Sequence, residues 1–287
     1  MFPIIPANSI VEEAKNQEGI FGYGSAPTLN YQNISNKISN VGVVSTDGSG
    51  VGTARGFLNG CEYGGDKGIF GFGGKPAGGD PQSMTNLVSN SGVVSADVTG
   101  VGTARGYIAA CSYGEDKGIF GFGQSTATGN VSLTNLVSNV GVVATDTVGV
   151  GTSRSGIAAC EFGGDKGIFG FGHDGNYVSM SNLVSNVGVV ATDTAGVGSV
   201  RAYLTACSYG DDKGIFGFGY SPPTGGLGPT AITNLVSNVG VVSADVAGVG
   251  TERYEPGATQ YGGDKGIFGY GFSDEPGTRH ENMSNLV

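Results

Sequence analysis

A chain of 287 residues with a net charge of −10 and a pI near 4.5 lacks the basic surface that binds nucleic acid, and it has no attraction to anionic membranes. Gly is the commonest residue, at 56 copies with no Gly-X-Y period, which excludes a collagen-like chain. Apolar residues make up 38% and fall in short runs between Gly, Asn, Asp and Ser, so many short strands are expected and membrane insertion is not.

The chain opens on Phe2-Pro3-Ile4-Ile5-Pro6, which has no basic flank and no signal-length apolar core, so a cleaved leader is not expected. A short stretch around Val11–Lys15 is the only one with helical periodicity. From there one phrase, Gly-Ile-Phe-Gly, starts at Gly19, Gly68, Gly118, Gly167, Gly214 and Gly266, a spacing of 47 to 52 residues. A fixed period in this range marks a repeat architecture.

The unit from Arg105 to Asp146 carries the strand pattern. Gly106–Tyr113 reads as a strand of small and apolar residues, Gly114-Glu115-Asp116 as a tight turn, and Lys117–Gly123 as a second strand. A loop over Gln124–Val131 leads to a third strand, Leu133–Ser138. Asn139-Val140-Gly141 is a three-residue hairpin with Gly where a positive φ is needed, and Val142–Thr145 is a fourth strand. Four short antiparallel strands in about 45 residues make one propeller blade. Strand alternation puts Phe120 and Phe122 on one face of the second strand and Ile119, Gly121 and Gly123 on the other. A neighbouring blade can then lay an aromatic ridge in a glycine groove. Phe21/Tyr23, Phe70/Phe72, Phe169/Phe171, Phe216/Phe218 and Phe268/Tyr270 repeat the pattern.

The last unit stops at Asn285-Leu286-Val287, after its third strand, so Phe2–Pro6 is predicted to supply the outer strand of the last blade. The expectation is an all-β fold, a single six-bladed β-propeller over residues 1–287 with four-stranded blades closed by the N-terminal strand. Cys61, Cys111, Cys160 and Cys207 each lie six residues after an arginine, at one repeat position. That favours small buried packing residues over a disulfide framework or metal ligands, and no cofactor is expected.

An arginine at the strand start, then small residues, then a strand ending in Phe/Tyr-Gly, resembles the kelch motif over Arg55–Gly73, Arg105–Gly123, Arg154–Gly172, Arg201–Gly219 and Arg253–Gly271. The chain has no Trp, and Gly-Phe-Gly or Gly-Tyr-Gly stands in place of the double glycine of that family. The phrases from Thr85 to Val94 and from Gly100 to Arg105 resemble tandem-repeat proteins of tailed bacteriophages. That resemblance implies a virion component of a tail or fibre, assembled in the host cytoplasm, with other virion proteins as partners.

Charged residues recur in two sets. Each complete unit has an aspartate eight residues before its arginine, as Asp47/Arg55, Asp97/Arg105, Asp146/Arg154, Asp193/Arg201 and Asp245/Arg253. On the connections between blades these read as inter-blade ion pairs, with a charged mouth as the other reading. Gly-rich connectors such as Gly48–Gly52 carry one carboxylate each, too few for a calcium loop. Asp66-Lys67, Asp116-Lys117, Asp165-Lys166, Asp212-Lys213 and Asp264-Lys265 read as solvated hairpins at the opposite end.

Units that are nearly identical elsewhere diverge in the loop between strands two and three, and all six loops are expected on one face beside the Asp/Arg connectors. Those loops hold Tyr31, His173, Tyr177, Tyr220 and His280, the candidate binding residues. The two histidines sit on different loops without a repeated His/Asp or Cys/His constellation, so catalysis is not expected. The function expected is a non-enzymatic interaction module. The alternative is a lectin-like propeller that binds a host-surface glycan with several sites at once.

Overall fold

A computed structural model describes residues 17–25, 30–75, 79–222, 228–274 and 280–287. Among them the fold is all-β. No helix is present, so none is long and apolar enough to cross a membrane. The segments predicted over Phe2–Pro6 and Val11–Lys15 lie outside the described residues.

Each complete unit is a small antiparallel meander in chain order. In the third unit Ala109–Tyr113 pairs with Lys117–Gly121, which pairs with Thr134–Val137. The second, fifth and sixth units repeat this over Asn59–Tyr63, Lys67–Gly71 and Thr85–Val88, over Thr205–Tyr209, Lys213–Gly217 and Thr233–Val236, and over Gly257–Tyr261, Lys265–Gly269 and Ser284–Leu286. The fourth has longer second and third strands, Lys166–His173 and Tyr177–Val184, because its loop is short enough to continue the hairpin across a bulge. In the first unit Gly19–Gly22 pairs with Ser35–Ile38.

The predicted fourth strand is not a continuous strand. It touches the sheet only at single bridges, Val137↔Val143 and Thr134↔Thr147 in the third unit and Val88↔Val94 and Thr85↔Val98 in the second. In the second unit the amide of Leu87 donates to the Ser95 hydroxyl, not to a backbone carbonyl, which interrupts the ladder at the edge. The hairpin that leads to it follows expectation, with Gly141 at φ 78°.

The core lies between neighbouring sheets. Phe120, fully buried, rests on Gly71 and Phe72 of the preceding unit, and a Cβ on Gly71 would stand 2.7 Å from its ring. Phe169 lies in the same way on Gly121, and Phe216 on Gly170. The expected ridge and groove are therefore present, with one correction. Phe122 does not share the face of Phe120; it packs against Phe169 of the following unit at a centroid distance of 5.2 Å. The cause is a left-handed backbone at Phe122, φ 61°, which breaks the alternation and turns the ring to the other face. Tyr23, Phe72, Phe171, Phe218 and Tyr270 share that conformation. Each sheet thus sends one aromatic backward and one forward.

The cysteines join this packing: a Cβ on Gly118 would stand 2.5 Å from Cys61 Sγ, and one on Gly167 would stand 2.6 Å from Cys111 Sγ. All four thiols are free, and burial pushes those of Cys61 and Cys207 up to about 12. The same contacts link the sixth unit to the first. Phe21 meets Tyr270 at 5.4 Å, Thr259 takes the cysteine position against Gly19, Tyr261 lies against Gly42, and the Gly262 amide donates to the Gln17 carbonyl.

A buried phenylalanine stabilises by about 1.5–3 kcal/mol, so this repeated contact outweighs any surface ion pair. Gly170→Ala is expected to lower unfolding free energy by about 1–3 kcal/mol, because the rigid Phe216 ring cannot yield. Phe216→Leu in the same chain should recover part of that loss. Urea denaturation of the two single variants and the double variant measures the coupling; additive losses contradict the ring-on-glycine contact.

Candidate functional site

The five repeated arginines are fully buried. In the third unit Arg105 Nη2 donates to Asn135 Oδ1 (2.6 Å), Nε to the Phe122 carbonyl (2.8 Å) and Nη1 to the Thr103 carbonyl (3.0 Å). Its guanidinium stands 4.5 Å from the ring centroid of Phe72, in the preceding unit. The carboxylate beside it is Asp146, at 3.5 Å.

The pairing differs from the one expected. Arg55 pairs with Asp97, Arg105 with Asp146, Arg154 with Asp193 and Arg201 with Asp245, at 3.4 to 3.9 Å. None of them pairs with the aspartate eight residues earlier, because the Gly-rich connector carries the chain from one sheet to the next between the two residues. The aspartate stays with the sheet it ends and the arginine enters the sheet it starts. The ion pair therefore clasps the beginning of a unit to its own end, and the aromatic ring is the arginine's contact with the neighbouring unit. Asp47 accepts from Asn36 Nδ2 (2.9 Å), and Arg253 donates to Asn285 Oδ1. Such buried arginines do not line a charged mouth.

Burial lowers the pKa of Arg105 and Arg201 to about 10. For Asp97, Asp146, Asp193 and Asp245 burial opposes ionisation. Hydrogen bonds from Thr or Ser and from Asn outweigh it, and each carboxyl lies below its ordinary value.

At the opposite end, each Asp-Lys turn holds its own ion pair. The Gly64 amide donates to the Asp116 carbonyl, Gly114 to Asp165, Gly163 to Asp212 and Gly210 to Asp264. These turns connect units, and Asn90, Asn139, Asn186 and Asn238 donate to the carboxylates of Asp66, Asp116, Asp165 and Asp212.

The variable loops lie beside the Arg connectors, as expected. Single bridges tie Gly56 to Gly74, Gly106 to Gln124, Ser155 to His173, Ala202 to Tyr220 and Tyr254 to Phe272. The candidate residues form two aromatic arcs there. His173 meets Tyr177 (5.2 Å), Tyr177 faces Tyr220 (6.5 Å), Tyr220 meets Tyr254 (5.2 Å), Tyr254 stacks on Phe272 (5.5 Å) and Phe272 meets His280 (4.4 Å). In the second arc Tyr31 meets Phe57 (5.6 Å), Phe57 stacks on Tyr107 (4.1 Å) and Tyr107 meets Tyr203 (5.8 Å). All of these rings are half-buried. A groove of about 440 Å3 joins the arcs, lined by Tyr107, Gln124, Asn130, His173, Asp174 and Tyr203 among others.

No protein-family model matches this chain, and no curated protein matches it. The site stands on its geometry.

Sequence reasoning missed Phe57, Tyr107, Tyr203, Tyr254 and Phe272. Three of them, with Gly156 and Glu255, occupy one repeat position, two residues after the arginine, and all five have φ between 53° and 60°. The Glu255 amide donates to the Tyr203 carbonyl, Tyr203 to Gly156, Gly156 to Tyr107 and Tyr107 to Phe57. Side chains held in this conformation cost about 1–2 kcal/mol each, which glycine avoids. The signal was present as an arginine followed two residues later by a varying, often aromatic residue.

The depressed aspartates give stability that is present above their unfolded pKa, near 4, and is lost as pH falls through the lower folded value. Asp193→Asn is expected to lower stability at pH 7 and to flatten its decline below about pH 4. Chemical denaturation from pH 2.5 to 7 checks both effects; an unchanged acid limb contradicts the clasp.

Proposed function

We propose that the six units close into a six-bladed, kelch-like β-propeller, and that it is a non-enzymatic interaction module whose loop-bearing end recognises a protein partner. The observation that carries the functional reading is the gathering of Tyr31, His173, Tyr177, Tyr220 and His280 into half-buried aromatic arcs on that end. Half-buried tyrosines offer rigid contact area with a polar tip, which suits recognition. Closure is supported by the contacts of the sixth unit with the first. The proposed setting is a bacteriophage tail or fibre, and its support is the likeness of the repeat phrases.

A second reading, glycan binding, is favoured by one feature. The groove sets Gln124, Asn130 and Asp174 beside Tyr107 and Tyr203, a mixture of planar polar groups and ring faces that fits a sugar.

A nuclear Overhauser contact between the rings of Phe21 and Tyr270 is expected in a closed ring, and its absence favours an open array. Mass spectrometry of purified particles should find the protein. The double variant Tyr177→Ala, Tyr220→Ala should enter particles at least about tenfold less, as for loss of an aromatic anchor. Absence from particles removes the phage setting. Binding on a glycan array that the same double variant keeps and Tyr203→Ala loses selects the groove.

A further inference from the structure

The repeat position two residues after each arginine converges on one place. Phe57, Tyr107, Gly156, Tyr203 and Glu255 all border a single cavity of about 1020 Å3. The run of amide-to-carbonyl bonds from Glu255 to Phe57 strings them along its edge. Glycine accepts this left-handed backbone without strain, as Gly156 does, so the other four side chains are held there against a conformational cost.

Their chemistry is one-sided. Phe57, Tyr107 and Tyr203 form a continuous run of ring contacts, and Tyr31 packs on its end. The one carboxyl among the five is Glu255. Its side chain has no hydrogen-bond or ion-pair partner among the described residues, and burial alone pushes it up to about 7. The phenols of Tyr31, Tyr107 and Tyr203 lie above their ordinary value, through burial first; the charge of Glu255 comes next for Tyr31 and Tyr107, and after that of Tyr177 for Tyr203. A half-buried carboxylate on the cavity wall favours a cation beside it, and aromatic faces attract cations. Calcium and magnesium take six or more ligands, mostly oxygens, and zinc takes about four from His, Cys, Asp or Glu; no group of three or more such side chains gathers among the described residues. An anion is repelled, and a neutral ligand brings no charge to pair with the carboxylate. A small organic cation satisfies both the rings and the carboxylate.

We propose that the chamber bordered by Phe57, Tyr107, Tyr203 and Glu255 binds an alkylammonium ion, with its charge toward Glu255 and its methyl or methylene groups on the rings. This inference shares the Phe57, Tyr107 and Tyr203 rings with the loop-bearing end but rests on Glu255 and the cavity, and choline binding is read without any partner of that end.

Choline and its uncharged isostere 3,3-dimethylbutan-1-ol are the probes, titrated into the full chain by calorimetry. Choline is expected to bind with saturation at one site, and the isostere at least about tenfold more weakly. Glu255→Gln should reduce choline affinity about tenfold or more and leave the isostere unchanged. Tyr107→Phe should retain choline binding, because the face remains, and Tyr107→Leu should lose it. Choline affinity should rise from pH 6 to pH 8 as Glu255 loses its proton, with the three tyrosines neutral throughout. Equal affinity for the two probes in the unaltered chain overturns the proposal without any variant. No binding of choline at millimolar concentration, or undiminished binding by Glu255→Gln, overturns it as well.

Discussion

One contact repeats through this molecule and the rest depends on it: an aromatic ring whose tip is seated on the glycine of the neighbouring sheet. The glycine is required by distance, because a single methyl group on Gly71, Gly121 or Gly170 would stand under 3 Å from the ring. The contact also sets the spacing of the sheets and leaves the thiols of Cys61, Cys111, Cys160 and Cys207 pressed on a second glycine in each neighbour. A small sheet needs a buried hydrophobic face to be stable in water. Here every complete unit buries both faces, since the second aromatic turns over at its left-handed residue and packs forward. The strain at Phe122 is small beside the burial of its ring.

Burying an arginine is the costlier decision. An isolated guanidinium taken from water loses several kcal/mol, and its carboxylate partner, partly exposed, returns only a fraction. Hydrogen bonds make the difference. In the third, fourth and fifth units Nε donates to the carbonyl of the forward-facing phenylalanine, while Nη1 and Nη2 reach the connector and the buried asparagine. In the second and sixth units Nε has no partner, so the network is complete only in the middle of the chain. The ring of the preceding unit covers the remaining face of each guanidinium. The arginine therefore joins three things at once: the start of a unit, its end, and the neighbour before it.

Period, turn glycines and the aromatic-glycine alternation were legible in the sequence because each is local. Gly141 had to be left-handed in a three-residue hairpin whatever the surroundings. Other features were decided by tertiary contacts. An aspartate eight residues from an arginine looks like its partner, yet the connector between them changes sheets, and Asp146 from the far end of the unit takes the place beside Arg105. Phe122 looks like part of a regular strand, and only the neighbouring Phe169 explains why its backbone turns left-handed. The fourth strand looks continuous, but the buried asparagine amide takes its carbonyl, as Asn135 does with Ala144 and Asn86 with Ser95. The five candidate loop residues were legible as exceptions to the repeat, whereas Tyr107 and Tyr203 were hidden because their position varies from Phe to Gly to Glu.

That variation decides how many sites such a chain carries. The bridges hold Gly74, Gln124, His173, Tyr220 and Phe272 at one equivalent backbone position, and the left-handed residues hold Phe57, Tyr107, Gly156, Tyr203 and Glu255 at another. A near-identical frame therefore presents side chains that vary from unit to unit. His173, Tyr220 and Phe272 supply rings at the first position, and Gly74 and Gly156 are the two glycines, with Tyr203 lying close to Gly156. Six equal sites would need the same residues repeated at these two levels. Five residue types at one level and four at the other make the units unequal, so repetition here supplies the frame and its departures supply the differences between units.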